Sequence, residues 1–311
     1  MTRLARLLSL ALCLVTGASG LLAQDAQEGQ DTRGIVPAEF VKARPAKGRP
    51  AANGKGGPIY RRTSGTAPVR SAAGDFAQLG LTIWRLRPAT RSDTGARLIV
   101  QRESETIEFI PERLRANAPL HIGERIRLSF ESPQPGYLYV IDREQFADGS
   151  MGEPVLIFPT TRTRNGDNQV TAGKLIEIPA QEDQPNYFTL QQSRLGATAQ
   201  AGEVLTVIVS PKPLEGIAIG SKALTLGGEQ VQQWERQWGA RTETFDLAGG
   251  AGKPWTRVEQ EAGANATRQL TQEDPEPQTI YRVAVRPGAP LLVKVGLHYG
   301  GARAAPLNIR R

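Results

Sequence analysis

Between Leu81 and Val209 the chain is a succession of short β-prone runs, each closed by proline or glycine. Leu81–Leu86 ends near Pro88, Val155–Phe158 lies between Pro154 and Pro159, and Val204–Val209 stops before Pro211 and Pro213. Short strands at this spacing predict a sandwich or barrel, not a parallel α/β sheet. The 33 glycines and 22 prolines suit that class, because every strand reversal needs a turn residue. The expectation is an all-β fold: an Ig-like or Greek-key β-sandwich over residues 79–213. One or two short helices belong to a C-terminal extension, 214–299, whose late strands are expected to complete the same sheets in preference to forming a small second lobe, since two strands alone could not bury a core.

Two stretches sharpen the reading. Ile126, Leu128 and Phe130 alternate with Arg125, Arg127, Ser129 and Glu131, which predicts a strand with an apolar face and an outward polar face. After the turn at Pro133–Gly136, Tyr137–Ile141 has no polar alternation and is expected to be buried on both faces. Further strands are expected at 96–101, 105–109, 174–178 and 187–190. Val231, Trp234 and Trp238 share one face of a helix over 229–238, with Gly239 after it. A weaker helical turn is expected at Glu259–Gly263, and Glu273–Pro277 reads as an acidic linker or edge loop. Tyr281, Val283 and Val285, then Leu291 to Tyr299, alternate as closing strands, followed by a tail over 300–311.

The N-terminus has the layout of a Sec-type leader. Arg3 and Arg6 precede the apolar run Leu7–Val15, and small residues lead to Ala23 before Gln24–Asp25. Residues 1–23 are therefore expected to be a signal peptide, which makes the protein periplasmic or secreted. The single cysteine, Cys13, falls inside that leader, so the exported chain would have no thiol for a disulfide, a nucleophile or a thiolate zinc site. No second long apolar run is present, which points to a soluble chain without a transmembrane span. Residues 24–78 are rich in Gly, Ala, Pro, Arg and Lys and lack periodicity, so they are expected to be a disordered basic linker in which only Phe40-Val41 and Ile59-Tyr60 could dock locally. Between Asp25 and Asp75 nine basic residues face five acidic ones, a large share of the formal charge of +7. Behind an export leader, such a tail is expected to meet anionic envelope polymers and not nucleic acid.

Arg127–Ser132, Gly136–Asp142, Asp148–Gly149, Leu156–Pro159, Ala172–Lys174 and Ile178–Pro179 together give the stretch from Leu120 to Val209 a resemblance to a bacterial family, the domain of unknown function DUF4384. In that family the domain occurs behind export signals or beside kinase-like and caspase-like modules. The resemblance implies an accessory, ligand-sensing or protein-binding role, and it carries over no functional residues.

The chemistry-bearing residues each have a plainer role beside the sharper one. Asp142, Glu144, Asp148 and Glu153 cluster between two strands as calcium candidates, yet Phe146 and Ala147 break the EF-hand pattern and Asp148-Gly149 suits a hairpin turn. Gly249–Lys253 resembles a phosphate loop but has Leu247 and Pro254 where the motif needs Gly and Ser or Thr. His121 and His298 lack triad partners at motif spacing. Glu243, Asp246, Glu259 and Glu261 offer carboxylate pairs for glycoside chemistry, which depends on their separation. Trp84, Trp234, Trp238 and Trp255 can stack on sugars or fill a core, and the helical spacing of the middle two favours the core. Arg125, Arg127, Trp84 and Trp255 are the binding candidates. No catalytic motif and no cofactor are expected. The function expected is a non-enzymatic binding or scaffold module of the cell envelope, meeting an envelope protein or glycan. The second reading is a carbohydrate-active hydrolase or carbohydrate-binding protein that uses surface carboxylates and tryptophans.

Overall fold

The computed structural model describes residues 36–47, 59–64, 76–102, 105–192, 199–264 and 268–300. The expected leader with Cys13, the expected C-terminal tail beyond Gly300 and the rest of the expected linker lie outside the described residues.

Two antiparallel sheets pack face to face. The larger contains β1 (Tyr60–Ser64), β2 (Phe76–Pro88), β3 (Leu98–Arg102), β4 (Glu105–Leu114), β5 (Arg125–Glu131), β9 (Ile176–Ile178), β10 (Phe188–Thr189), β13 (Thr242–Leu247) and β14 (Thr279–Ala284). The smaller contains β6 (Gly136–Phe146), β7 (Val155–Phe158), β8 (Gln169–Val170), β11 (Gln200–Ser210), β12 (Leu224–Thr225) and β15 (Leu291–His298). β2 organises the larger sheet. Its residues 76–81 pair with β14 and residues 83–88 with β4, while residues 80–85 pair with β5 along the opposite edge.

The inter-sheet core follows from the period of two. Leu79, Leu81 and Ile83 of β2 and Ile126, Leu128 and Phe130 of β5 face Leu138 and Val140 of β6, Leu205 and Val207 of β11, and Val293 and Val295 of β15. β6 is buried on both faces, because Tyr139 and Ile141 point the other way into a second cluster under α2 (Gly228–Trp238). Trp234 and Trp238 stack there at 5.8 Å and cover the outer side of the smaller sheet with Val231. Residues 214–299 thus add β12 and β15 to one sheet and β13 and β14 to the other.

Within the expected linker, residues 36–42, 60–64 and 76–78 are folded. Residues 36–42 are helical and are called α1. Val36, Phe40 and Tyr60 are buried with Phe245 and Ile280 on the outer face of the larger sheet. Composition pointed to disorder because it averages over the segment. Three apolar anchors and one arginine suffice to dock the helix, because the sheet supplies the remaining apolar surface.

Candidate functional site

The outer face of the larger sheet is where most of the polar chemistry collects. The inward turn of Ile126, Leu128 and Phe130 sends Arg125, Arg127, Ser129 and Glu131 to the opposite face, where the β2 register places Gly80, Thr82 and Trp84 beside them. Sequence alternation implied that this face is open to solvent. It is covered instead by α1, by α3 (Arg257–Gly263) and by the 270–277 segment, so Arg127 and Trp84 are each only 1% exposed.

Three buried ion pairs result. Arg127 bonds Glu177 at 2.8 Å and the Asn186 carbonyl, Arg113 bonds Glu259 and, at 2.7 Å, the Glu276 carbonyl, and Arg44 bonds Glu131 at 2.7 and 2.8 Å. Between the first two lies a stack of cations and rings. Arg113 sits 5.3 Å over Trp84, Trp84 meets Trp255 at 6.2 Å, and Arg127 lies 5.8 Å over Trp255. Such contacts strengthen when water is excluded. The Trp84 indole donates to Ser129 Oγ at 2.7 Å. Burial pushes the Glu177 carboxyl up against the opposing pull of Arg127. For Arg44, burial lowers the guanidinium pKa, but the Glu131 charge and hydrogen bond outweigh it and the net direction is upward.

α3 is locked to this stack by its own N-terminus. Thr256 and Glu259 form a capping box, and the second carboxylate oxygen of Glu259 is the one that holds Arg113. A cavity of about 10 Å³, enough for at most one water, remains among Arg44, Thr82, Trp84, Ser129 and Glu131. Beside it a groove of about 540 Å³ opens to solvent over Trp255, walled by Ala96 and Pro254 and rimmed by Thr94, Thr256 and Arg257.

The four binding candidates therefore come together, but not as an exposed patch. Trp84, Trp255 and Arg127 are buried structural members, and Trp255 alone reaches the groove floor. Arg125 is half-buried, held 5.1 Å over Phe109 and 5.3 Å over Tyr187. Arg44, Arg113 and Glu177 escaped sequence reading, and so did the partners of Glu131 and Glu259, because only the fold brings each cation to its carboxylate. Of the carboxylates considered for glycoside chemistry, Glu259 is tied up by Arg113 and Thr256, and the other three are held elsewhere. Glu243 bonds Arg282, Asp246 accepts from Thr279, and Glu261 lies between Arg257 and Arg268.

The calcium candidates do not converge. Asp148 accepts from the Ser150 backbone and hydroxyl in a hairpin turn, and Glu153 is exposed. Asp142 and Glu144 point along the inner face of β6, where the register sets Glu144 opposite Glu203 of β11. Among the described residues no group of three or more His, Cys, Asp or Glu is placed to hold a metal ion. These carboxylates form an acidic rim at one end of the core, capped by the Tyr299 hydroxyl, which donates to Glu203 at 2.5 Å. Burial, then the charge of Glu203, pushes Asp142 up to about 8, and burial also raises Glu203. His121 bonds Glu124, while Nδ1 of His298 is buried without a partner among the described residues. Gly249–Lys253 is a turn bonded to Arg113 by the backbone.

No described helix is long and apolar enough to cross a membrane. No curated protein and no solved structure matches the chain. The family model that does match, over residues 120–213, is described as a domain of unknown function, DUF4384, so the segment from β5 to β11 that lays down the middle of both sheets is a DUF4384-like domain.

Proposed function

We propose that this chain is an exported, non-enzymatic binding or scaffold module of a bacterial cell envelope, and that it presents the outer face of its larger sheet to a protein or glycan. The observation that carries this reading is the groove over Trp255. Its floor is fixed by the cation–ring stack and the buried ion pairs, and its rim offers the Thr94 hydroxyl and the exposed guanidinium of Arg257. A floor that does not reorganise lowers the cost of binding, and a few polar groups on the rim set orientation. The leader-like N-terminus and the DUF4384-like segment support placement in the envelope.

The test is affinity recovery from envelope extract with the immobilised chain, alongside a Thr94→Ala/Arg257→Ala chain. Both side chains are exposed, so the variant should melt at the same temperature. A specific protein or glycan should be enriched by the unaltered chain and depleted with the variant. Equal recovery by both, or nothing above background, sinks the reading.

A further inference from the structure

α1 and the residues after it occupy the larger sheet as a ligand occupies a groove. Val36 and Phe40 stand four positions apart on α1, the spacing by which a short helix presents one face to a receptor, and Arg44 follows two residues past the helix end. All three are buried. The body supplies a shaped seat for each of the last two. Phe40 rests on Gly80 of β2, where an added Cβ would come within 2.7 Å of the ring. Every N–H donor of Arg44 is engaged: two with the Glu131 carboxylate, and three with the carbonyls of Thr271, Asp274 and Pro275. Gln272 grips the arm backbone through the carbonyls of Lys42 and Arg44 at 3.1 Å each. The charges complement one another. The arm brings Lys42, Arg44 and Lys47, and the wall it meets is the acidic stretch Glu273-Asp274-Pro275-Glu276. That stretch read as an edge loop in the sequence and here forms the seat of Arg44.

We infer that this seat is a recognition site for a short helix with Val and Phe four positions apart and an arginine just past its end, and that residues 36–47 of a second copy of this chain occupy it by exchange with the copy's own arm. The inference rests on the proposed reading of this face as a binding surface and names its partner. An exchanged arm would make the same contacts in trans as in cis, so no new interface has to be built. Residues 48–58 join the arm to β1, and a stretch of that length reaches up to about 36–40 Å when extended, enough to pass between neighbouring molecules.

Two measurements decide it. Full chains carrying two different tags are mixed at high concentration, and mixed dimers should be recovered from the unaltered chain and lost when both partners carry Arg44→Ala. Separately, a labelled peptide of residues 36–47 should bind saturably to a Phe40→Ala/Arg44→Ala chain, whose own arm is weakened. The same peptide with Arg44→Ala should bind at least tenfold more weakly. Where the doubly altered chain fails to melt cooperatively, the mixed dimers of the unaltered chain still decide. Absence of mixed dimers overturns exchange between copies, and peptide binding without them assigns the seat to the helix of another protein. Absence of saturable peptide binding to a folded variant overturns the seat itself. Thr94→Ala/Arg257→Ala leaves the arm contacts intact, so loss of an envelope partner and loss of exchange report separately.

Discussion

Arg127 and Glu177 bring opposite charges to 2.8 Å with 1% of either side chain exposed. Desolvating two ions cancels most of their attraction, so the pair is a weak source of net stability, yet removing one partner strands the other charge without water. Glu177→Ala should therefore lower stability by about 3–5 kcal/mol in urea unfolding, whereas Arg127→Leu/Glu177→Leu together should cost clearly less than either single change. A double variant as damaged as the singles would contradict this account. Asp142 carries the opposite kind of burden, a half-satisfied carboxyl whose Oδ1 is buried without a partner among the described residues. Its pKa rises from an ordinary 3.8 to about 8, first through burial and then through Glu203. A carboxyl raised in the folded state holds a proton that the unfolded chain releases, so its contribution is complete below about pH 4 and is lost as pH climbs toward 8. The urea midpoint of the unaltered chain should fall between pH 5 and 8. Asp142→Asn, neutral throughout, should flatten that slope and stabilise the chain most at the alkaline end. Parallel pH profiles for the two chains would place the titration elsewhere.

Among the elements, α1 tests whether a basic, proline-containing segment acts as a spacer or as part of the fold. Phe→Ala in a core costs about 3–5 kcal/mol, but an arm that undocks locally limits the loss to its own docking free energy. Phe40→Ala should thus abolish amide-exchange protection around α1 while β2 and β5 keep theirs. Gly80→Ala should reproduce the effect from the other side, because its methyl would occupy the space of the Phe40 ring. Retained protection in both variants would show that the arm is held by something other than these seats. The same elements explain what a single sequence makes legible. The alternation of β5 and the two-sided burial of β6 were readable, since each is a local pattern. What covers the polar face of β5 was not, because Arg44 and Glu131 stand 87 residues apart and Arg113 and Glu259 stand 146 apart. Alternation reports that a strand has two kinds of face. It does not report whether the polar one is wet, and here arginine, glutamate and tryptophan are buried together by mutual pairing. β1 and β13 were missed for a related reason, since each is a short strand rich in charged and hydroxyl residues that pairs near a sheet edge.

At the scale of the whole molecule, the strands after Pro213 belong to the same two sheets as those before it. The DUF4384-like stretch supplies β5 through β11. In the larger sheet β5 is completed by β2 from before that stretch, and in the smaller sheet β11 is completed by β15 from after it, over eight paired positions from Gly202 to Val209. The inter-sheet core draws Tyr281, Val283, Leu291, Val293, Val295, Leu297 and Tyr299 from beyond Pro213. Ending the chain there would remove seven core side chains at once and turn β11 into a long apolar edge, open to pairing with other molecules. At about 1.5–3 kcal/mol for each such side chain the loss comes to about 10–20 kcal/mol, as large as the whole 5–15 kcal/mol that a typical domain has in reserve. A chain ending at Pro213 should therefore aggregate or remain unfolded. The full chain should lose far-ultraviolet ellipticity and tryptophan fluorescence in one coincident transition, although Trp84 and Trp255 report from the larger sheet and Trp234 and Trp238 from the smaller. Two separated transitions, or a soluble cooperative fragment ending at Pro213, would show that the DUF4384-like stretch folds without its flanks. The strands on either side would then be additions to a finished sandwich and not the halves that close it.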